Sequence, residues 1–480
     1  EMLRSLVGSE MCIRDRGCAS HDAVQAVSPI MSDVSGRRPL TGGSRMSPSA
    51  AKVHSIGSIL TVVSCVFFAI SFISSLTGVP GEVPTPAATT FNTKGISGHC
   101  NPFSYPGHIA HDPFPVWKTF DNVCPASTAL PDMLASLPNA VSSTPGLKST
   151  LRSPFISKQR QDQLMQAFKN RTVVLIGDGV DRTMIMNLCD MVGEKPMSVD
   201  ATHPWGASLK NQPLGRKDLG DTLLADYCYV PHYSAIFTSF YHYGADTNEL
   251  WREQRDYLPP GQFEKRISQL LKPYLEAMAT PLPYNVQMPL ARSSKPDLVV
   301  FSSSLWDLAA WAMEDVSTYQ TITTADLSDN RLQWWRSRSV DMIEELRQQL
   351  GPSVPLAWRS THVPMTKVND TVQWFFSSMH TKSSPAPDEN GIQFAHPNRI
   401  TQLNHARRAT LAMSNQASVR GWLSKNVWSA GSMPLLRDIP FGEVTMGQST
   451  TQDTLLNPGI ETYAYMFWSM VLQELLNLSL

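Results

Sequence analysis

The chain has 480 residues, 40 basic against 41 acidic, a net charge of −1 and 42% hydrophobic residues. That length accommodates two or three domains, or one α/β domain with extensions. No run of Lys and Arg supplies the electrostatic footprint of a nucleic-acid binder, so nucleic acid is set aside as a partner.

The opening stretch EMLRSLVGSEMCIRDR (1–16) has neither a hydrophobic period nor targeting logic. It reads as translated adapter sequence, which places the natural start at Met31 or Met46. Ile56 to Leu76 follows as 21 residues without a charge, long enough to cross roughly 30 Å of hydrocarbon as a helix. A core helix would show a polar face, and a cleaved signal peptide would have a shorter apolar region and an A-x-A site that SLTGVPG lacks. Arg37, Arg38, Arg45 and Lys52 precede the span, whereas Glu82 and Lys94 are the first charges after it. The positive-inside rule therefore predicts a disordered cytosolic tail over 1–55, a signal anchor over 56–77, and everything beyond on the luminal or extracellular side.

Three sequons, at Asn170, Asn369 and Asn477, lie on that predicted luminal side. Cys12, Cys18 and Cys65 fall in or before the span, leaving Cys100, Cys124, Cys189 and Cys228 as an even set for a disulfide-permissive compartment. Four cysteines allow three pairings; proximity along the chain favours Cys100 with Cys124 and Cys189 with Cys228. No CxxC spacing offers a thiolate zinc site, and no metal or cofactor is implied.

Residues 78–155, rich in Pro, Ser, Thr and Ala, read as a luminal stem with a partly ordered, disulfide-tied section between Cys100 and Cys124. From 156 to 480, short apolar runs alternate with helical periods. TVVLIG is a continuous apolar strand and Asp181 to Val192 its helix; AIFTSFYHYG is an aromatic-rich strand. A helix with Phe263, Ile267, Leu270, Leu271 and Leu275 on one face should be kinked or shortened by Pro273. DLVVFSSS is a third strand followed by the helix LWDLAAWAME, and an amphipathic helix from Asp329 to Leu350 stops at Gly351-Pro352. VPLAWRS is a fourth strand, RITQLNHARRATLAM a helix, KNVWSAG a short fifth strand, and Ile460 to Leu476 a closing helix too short in its apolar part for a second span. Unbroken apolar strands alternating with helices predict a three-layer α/β/α sandwich with a mainly parallel sheet. In such sheets the ligand site lies at the carboxyl ends of the strands, which directs attention to GDGVDR, SSSLWD, RSTHVP and the loop before the last helix.

VVLIGDGVDRTMIMNLC resembles the first block of the SGNH (GDSL-type) hydrolases. Its GD-x-x-x-R form is similar to the PC-esterase and trichome-birefringence-like relatives, type II membrane proteins of the Golgi that act on glycans. The resemblance implies an SGNH-like, flavodoxin-like domain that adds or removes acyl groups, typically acetyl, on polysaccharide. In that family the turn reads Gly-Asp-Ser with Ser as nucleophile, a late Asp-x-x-His loop supplies the base, and the turn's N–H groups form an oxyanion pocket. Carried over, Gly177, Asp178 and Arg182 match, and the nucleophile position is Gly179. In TTQDTLLNPGIETYAY, alignment on the acid uses Asp453 and puts Leu456 at the His position. Alignment on the following Pro puts Asn457 there and Thr454 at the acid. Gly244 in HYGAD stands for the second-block glycine, and Leu305 or Trp306 lies near the oxyanion Asn position.

Without a hydroxyl at the turn or an imidazole at the late loop, acyl transfer loses nucleophile and base together. The expectation is a catalytically impaired glycoprotein of the Golgi or secretory-pathway membrane, binding a glycan, an acylated carbohydrate or a partner protein in the former active-site cleft. The alternative is an active O-acetyltransferase or acyl esterase with an unplaced nucleophile. Ser302, Ser303 and Ser304 are either that nucleophile or binders of turn backbone; His362, near Arg359, either binds a carboxylate or sugar hydroxyl or is satisfied by backbone. Asp178 caps the turn, His405 with Arg407 and Arg408 reads as a solvated face, and Trp306, Trp311, Trp334 and Trp335 read as core. A Golgi glycosyltransferase would share the layout, but no Asp-x-Asp motif occurs. Gly-x-Ser-x-Gly, P-loop, His-Glu-x-x-His and Gly-x-Gly-x-x-Gly motifs are also absent.

Overall fold

The computed structural model of the chain describes residues 100–111, 115–120, 124–137, 156–210, 223–245, 249–251, 257–283, 288–319, 324–363, 394–415, 435–445 and 463–479. The stretch 1–16, the expected anchor 56–77, the expected strand 425–431, Asn369 and the late-loop positions Asp453, Thr454, Leu456 and Asn457 lie outside the described residues. Among the described residues, no helix is long and apolar enough to cross a membrane.

The chain forms a hairpin of β1 (Gly107–His111) and β2 (Pro115–Thr119), then α1 (Ala129–Ser136) and α2 (Lys158–Phe168). Next come β3 (Thr172–Gly177), α3 (Gly179–Val192), β4 (Met197–Val199), the short α4 (Ala207–Lys210), β5 (Ala225–Val230) and β6 (Ala235–Tyr241). They are followed by α5 (Phe263–Arg266), α6 (Lys272–Met278), β7 (Leu298–Phe301), α7 (Leu305–Tyr319) and α8 (Asp329–Leu350). The chain closes with β8 (Leu356–Arg359), α9 (Pro397–Asn415), β9 (Arg437–Ile439), α10 (Phe441–Thr445) and α11 (Tyr465–Ser479). Between α5 and α6 the backbone stays helical through a π turn over Ile267–Leu271. Pro273 therefore neither ends nor interrupts the helix: it sits in the first turn of α6, just after the wider turn, where a missing N–H is tolerated.

Seven strands make one sheet in the order β4-β5-β6-β3-β7-β8-β9. β3, β6, β7, β8 and β9 are mutually parallel, while β5 runs against β6 and pairs antiparallel with β4. Counted along the chain, the parallel strands stand as 2-1-3-4-5, and their order reverses between β3 and β7. The expected mainly parallel sheet is present, extended by β4, β5 and β9, which sequence patterning left as loop. β3, β7 and β8 are buried at every residue, as strands covered on both faces must be. Phe237 of β6 meets Trp468 of α11, whereas Phe240, on the opposite face, lies beneath Arg266 of α5. On that second face Phe301 and Trp358 pack together and are covered by Phe263 and Trp335.

Two disulfides close, Cys100–Cys124 and Cys189–Cys228, with Cα atoms 5.7 and 5.4 Å apart. The section 100–137, expected within the stem, is packed onto α11. Ser127 Oγ donates to Gln473 Oε1 at 2.8 Å and Asn101 Nδ2 to Glu474 Oε1 at 2.7 Å, so the folded unit takes in residues well before 156. Asn170 of the first sequon is exposed in a left-handed turn, φ 57°; Asn477 lies on α11. Trp306, Trp311 and Trp335 are buried as expected, but Trp334 is exposed. The expected solvated face of α9 holds for His405 and Arg408 and fails for Arg407. The Arg407 guanidinium is buried against Asp438 and Glu443, with Nη2 2.8 Å from Glu443 Oε1, because β9 and α10 bring two carboxylates under the helix.

Candidate functional site

The carboxyl end of β3 lies at the centre of the sheet beside the reversal of strand order, where open α/β sheets place their ligand crevice. The strand reaches it because Val173 to Ile176 form an unbroken buried apolar run, and the chain then turns at Gly177. A side chain cannot be accommodated there: a Cβ on Gly177 would lie 1.7 Å from Asp181 Oδ2. Asp178 is the N-cap of α3. Its Oδ1 accepts from the Val180 N–H at 2.9 Å, and Asp181 Oδ2 accepts from the Asp178 N–H at 3.2 Å, completing a reciprocal capping box. Asp178 thus has the turn-capping role expected of it.

Arg359, the last residue of β8, reaches across the end of β7 to the same carboxylate. Its Nε lies 3.0 Å from Asp181 Oδ1 and its Nη2 2.8 Å from Oδ2, with both side chains about 1% exposed. Strand register places Ser302, next after Phe301, between Gly177 and Arg359. The bidentate pair therefore bridges the mouth of the sheet over three strands. Burial, and then the neighbouring Asp181 charge, push the Asp178 carboxyl up to about 6, with Arg359 opposing. Burial also holds the Tyr241 hydroxyl well above its ordinary range, with Asp178 adding to the effect and Arg182 reducing it.

Gly179 opens α3 at this mouth. It is partly exposed, and a Cβ there would meet no described residue within 4 Å. One turn on, Arg182 is held by Asp226 of β5, its Nε 2.5 Å from Asp226 Oδ2. The family-matched positions Gly177, Asp178, Gly179 and Arg182 are thus together, and Arg359 joins them through Asp181.

The strand-end serines divide. Ser303 Oγ donates to Asp307 Oδ2 at 2.6 Å and Ser304 shares a hydrogen bond with the Thr361 hydroxyl, so both serve the turns. Ser302 Oγ is buried without a partner among the described residues. His362 is buried too, and among the described residues its Nδ1 has no hydrogen-bond partner; described backbone does not satisfy that nitrogen. Burial and then Arg359 push the imidazole down to about 3, so it is neutral. Its ring lies 5.8 Å from Phe441, which stands 6.5 Å from Tyr463, where the described residues resume.

Gly244 adopts φ 83°, and a Cβ there would come within 2.7 Å of Asp307 Oδ1, so the position admits no other residue without strain. Gly244 is tied to a residue that sequence reasoning passed over. His242 Nδ1 accepts from the Gly244 N–H at 3.1 Å and its Nε2 donates to the Ser302 carbonyl at 2.6 Å. With both nitrogens engaged and burial lowering its basicity, His242 is a neutral clasp between β6 and β7. Its only sequence signal was a His at the end of AIFTSFYHYG.

In comparisons with known proteins, no family model and no curated protein matches the chain. The functional reading therefore rests on the geometry. The mouth carries a capped turn with an open position at residue 179, a carboxyl that holds its proton to an unusually high pH, an outward Arg, and a neutral imidazole. At residue 179 itself there is no atom that can act as nucleophile.

Proposed function

We propose that the chain carries a luminal SGNH-like domain of the PC-esterase, trichome-birefringence-like type on a single-pass type II anchor in the Golgi or secretory-pathway membrane. Its mouth binds a glycan or acylated carbohydrate without acyl transfer at position 179. Support for this reading comes from the 2-1-3-4-5 order of the parallel strands and from the Gly-Asp turn at the end of the first of them. The observation that carries it is Gly179, which stands at the tip of a strand-turn-helix facing open space with no side chain to react. Full-length protein in detergent is expected to bind acetyl-xylan oligosaccharides by calorimetry and to release no acetate from them or from p-nitrophenyl acetate. Turnover that a serine-reactive fluorophosphonate abolishes would overturn the loss of chemistry.

One observation favours the second reading, an active O-acetyltransferase or esterase. Ser302 Oγ and His362 Nδ1 are an unclaimed hydroxyl and an unclaimed neutral imidazole at the same end of the sheet. Fluorophosphonate labelling that disappears in Ser302→Ala would establish it; labelling retained in that variant, or none at all, counts against it.

A further inference from the structure

Building on the glycan-binding reading, we propose that Arg182 is a carboxylate clamp and that the glycan recognised at this mouth is an acidic one, bearing uronate-type carboxylates. Arg182 projects from α3 one turn beyond Gly179, and residues three apart lie on the same helix face. Its side chain is 44% exposed while that of its partner Asp226 is 6% exposed. The contact with Asp226 is made at the Nε edge, and Asp226 is itself held by Ser198, whose Oγ donates to Asp226 Oδ1 at 2.5 Å. The guanidinium is thus fixed at one edge by a buried carboxylate. No described residue takes up its two Nη groups.

A guanidinium fork matches a carboxylate in two parallel N–H···O bonds, and it does so at low entropic cost when already oriented. The open space over Gly179 is the room into which a sugar ring carrying that carboxylate would fit. The charges around it are balanced in pairs, Arg182 with Asp226 and Arg359 with Asp181, which leaves Asp178 as the remaining titrating carboxyl. The Asp178 carboxyl is faced by Asp181 on α3, Arg359 on β8 and the Tyr241 hydroxyl on β6, and Arg182 acts on that same hydroxyl. An arriving carboxylate would be repelled by ionised Asp178 and tolerated by the protonated form, so binding takes up a proton there.

Calorimetry on the full-length protein in detergent with tetragalacturonate and with xylotetraose tests this. Tetragalacturonate is expected to bind about tenfold or more tightly than xylotetraose, a preference that Arg182→Gln removes while xylotetraose affinity is kept. Arg182→Lys, which keeps the charge facing Asp226 and loses the fork, is expected to lose most of the preference as well. The uronate affinity should rise between about pH 7.5 and about pH 5, and Asp178→Asn should flatten that dependence. Equal binding of the two oligosaccharides, or a uronate preference that survives both Arg182 variants, overturns the clamp and leaves glycan binding standing. Binding of neither oligosaccharide overturns the glycan reading itself.

Discussion

Arg359 and Asp181 are each about 1% exposed, so neither charge is hydrated and each depends on the other. Removing one partner of such a buried pair costs about 3–5 kcal/mol, because it strands the other charge. Asp181→Asn is expected to lose that much by urea denaturation, even though an amide oxygen still caps the turn. Asp178 and His362 set opposite pH slopes. The folded state keeps the Asp178 proton up to about 6 where the unfolded chain releases it near 3.8, so stability present below 3.8 is lost as pH rises through 6. The shift corresponds to about 3 kcal/mol. Asp178→Asn keeps the capping oxygen and is expected to raise Tm above pH 6. His362 has a folded value of about 3 against 6.5, so the unfolded chain takes up a proton that the folded one refuses. That contribution is complete above 6.5 and is lost as pH falls towards 3, and His362→Gln is expected to remove the acid-side loss in a thermal pH series. Gly179→Ser meets no obstruction and replaces a glycine at the first helical position. Its stability is expected to be unchanged or higher by about 0.5 kcal/mol, with no acetate release, since a hydroxyl alone supplies no base.

At the scale of elements, α3 carries the mouth: its first turn holds Asp178, Gly179, Asp181 and Arg182, and its last turns are tied to the sheet. Cys189 on this helix is bonded to Cys228 on β5, the strand that also supplies Asp226 to Arg182. The link therefore fixes the helix against the strand that orients the exposed guanidinium. The double variant Cys189→Ser with Cys228→Ser is expected to lose about 2–4 kcal/mol by calorimetric unfolding.

For the molecule as a whole, the last helix is a central support. Trp468 is fully buried, its Nε1 donates to the Met184 carbonyl at 2.8 Å, and its ring meets Phe237 of β6. Trp468→Ala is expected to cost about 3–5 kcal/mol in a denaturant titration.

The sequence by itself determined the central strands β3, β6, β7 and β8 and the helices that follow them, because an apolar run or a 3.6 period is a local property, whereas the short or mixed β4, β5 and β9 carry no such run. Gly351 ending the Asp329–Leu350 helix was equally local. It also determined the absence at Gly179, since a side chain that is not encoded cannot be supplied by folding. The tertiary structure decided which distant groups met. Asp181 and Arg359 are 178 residues apart, and nothing in either segment marks the other. The Ser302 hydroxyl and His362 Nδ1 found no partner among the described residues while Ser303, Ser304 and His242 were engaged, a division among similar residues that depends on strand register. Arg407 looked solvated because the apolar residues of its helix are not gathered on one stripe, and only the arrival of Asp438 and Glu443 made its burial affordable. Local pattern fixes which elements form; pairing of buried charges requires topology, because a charge leaves water only where its partner is delivered.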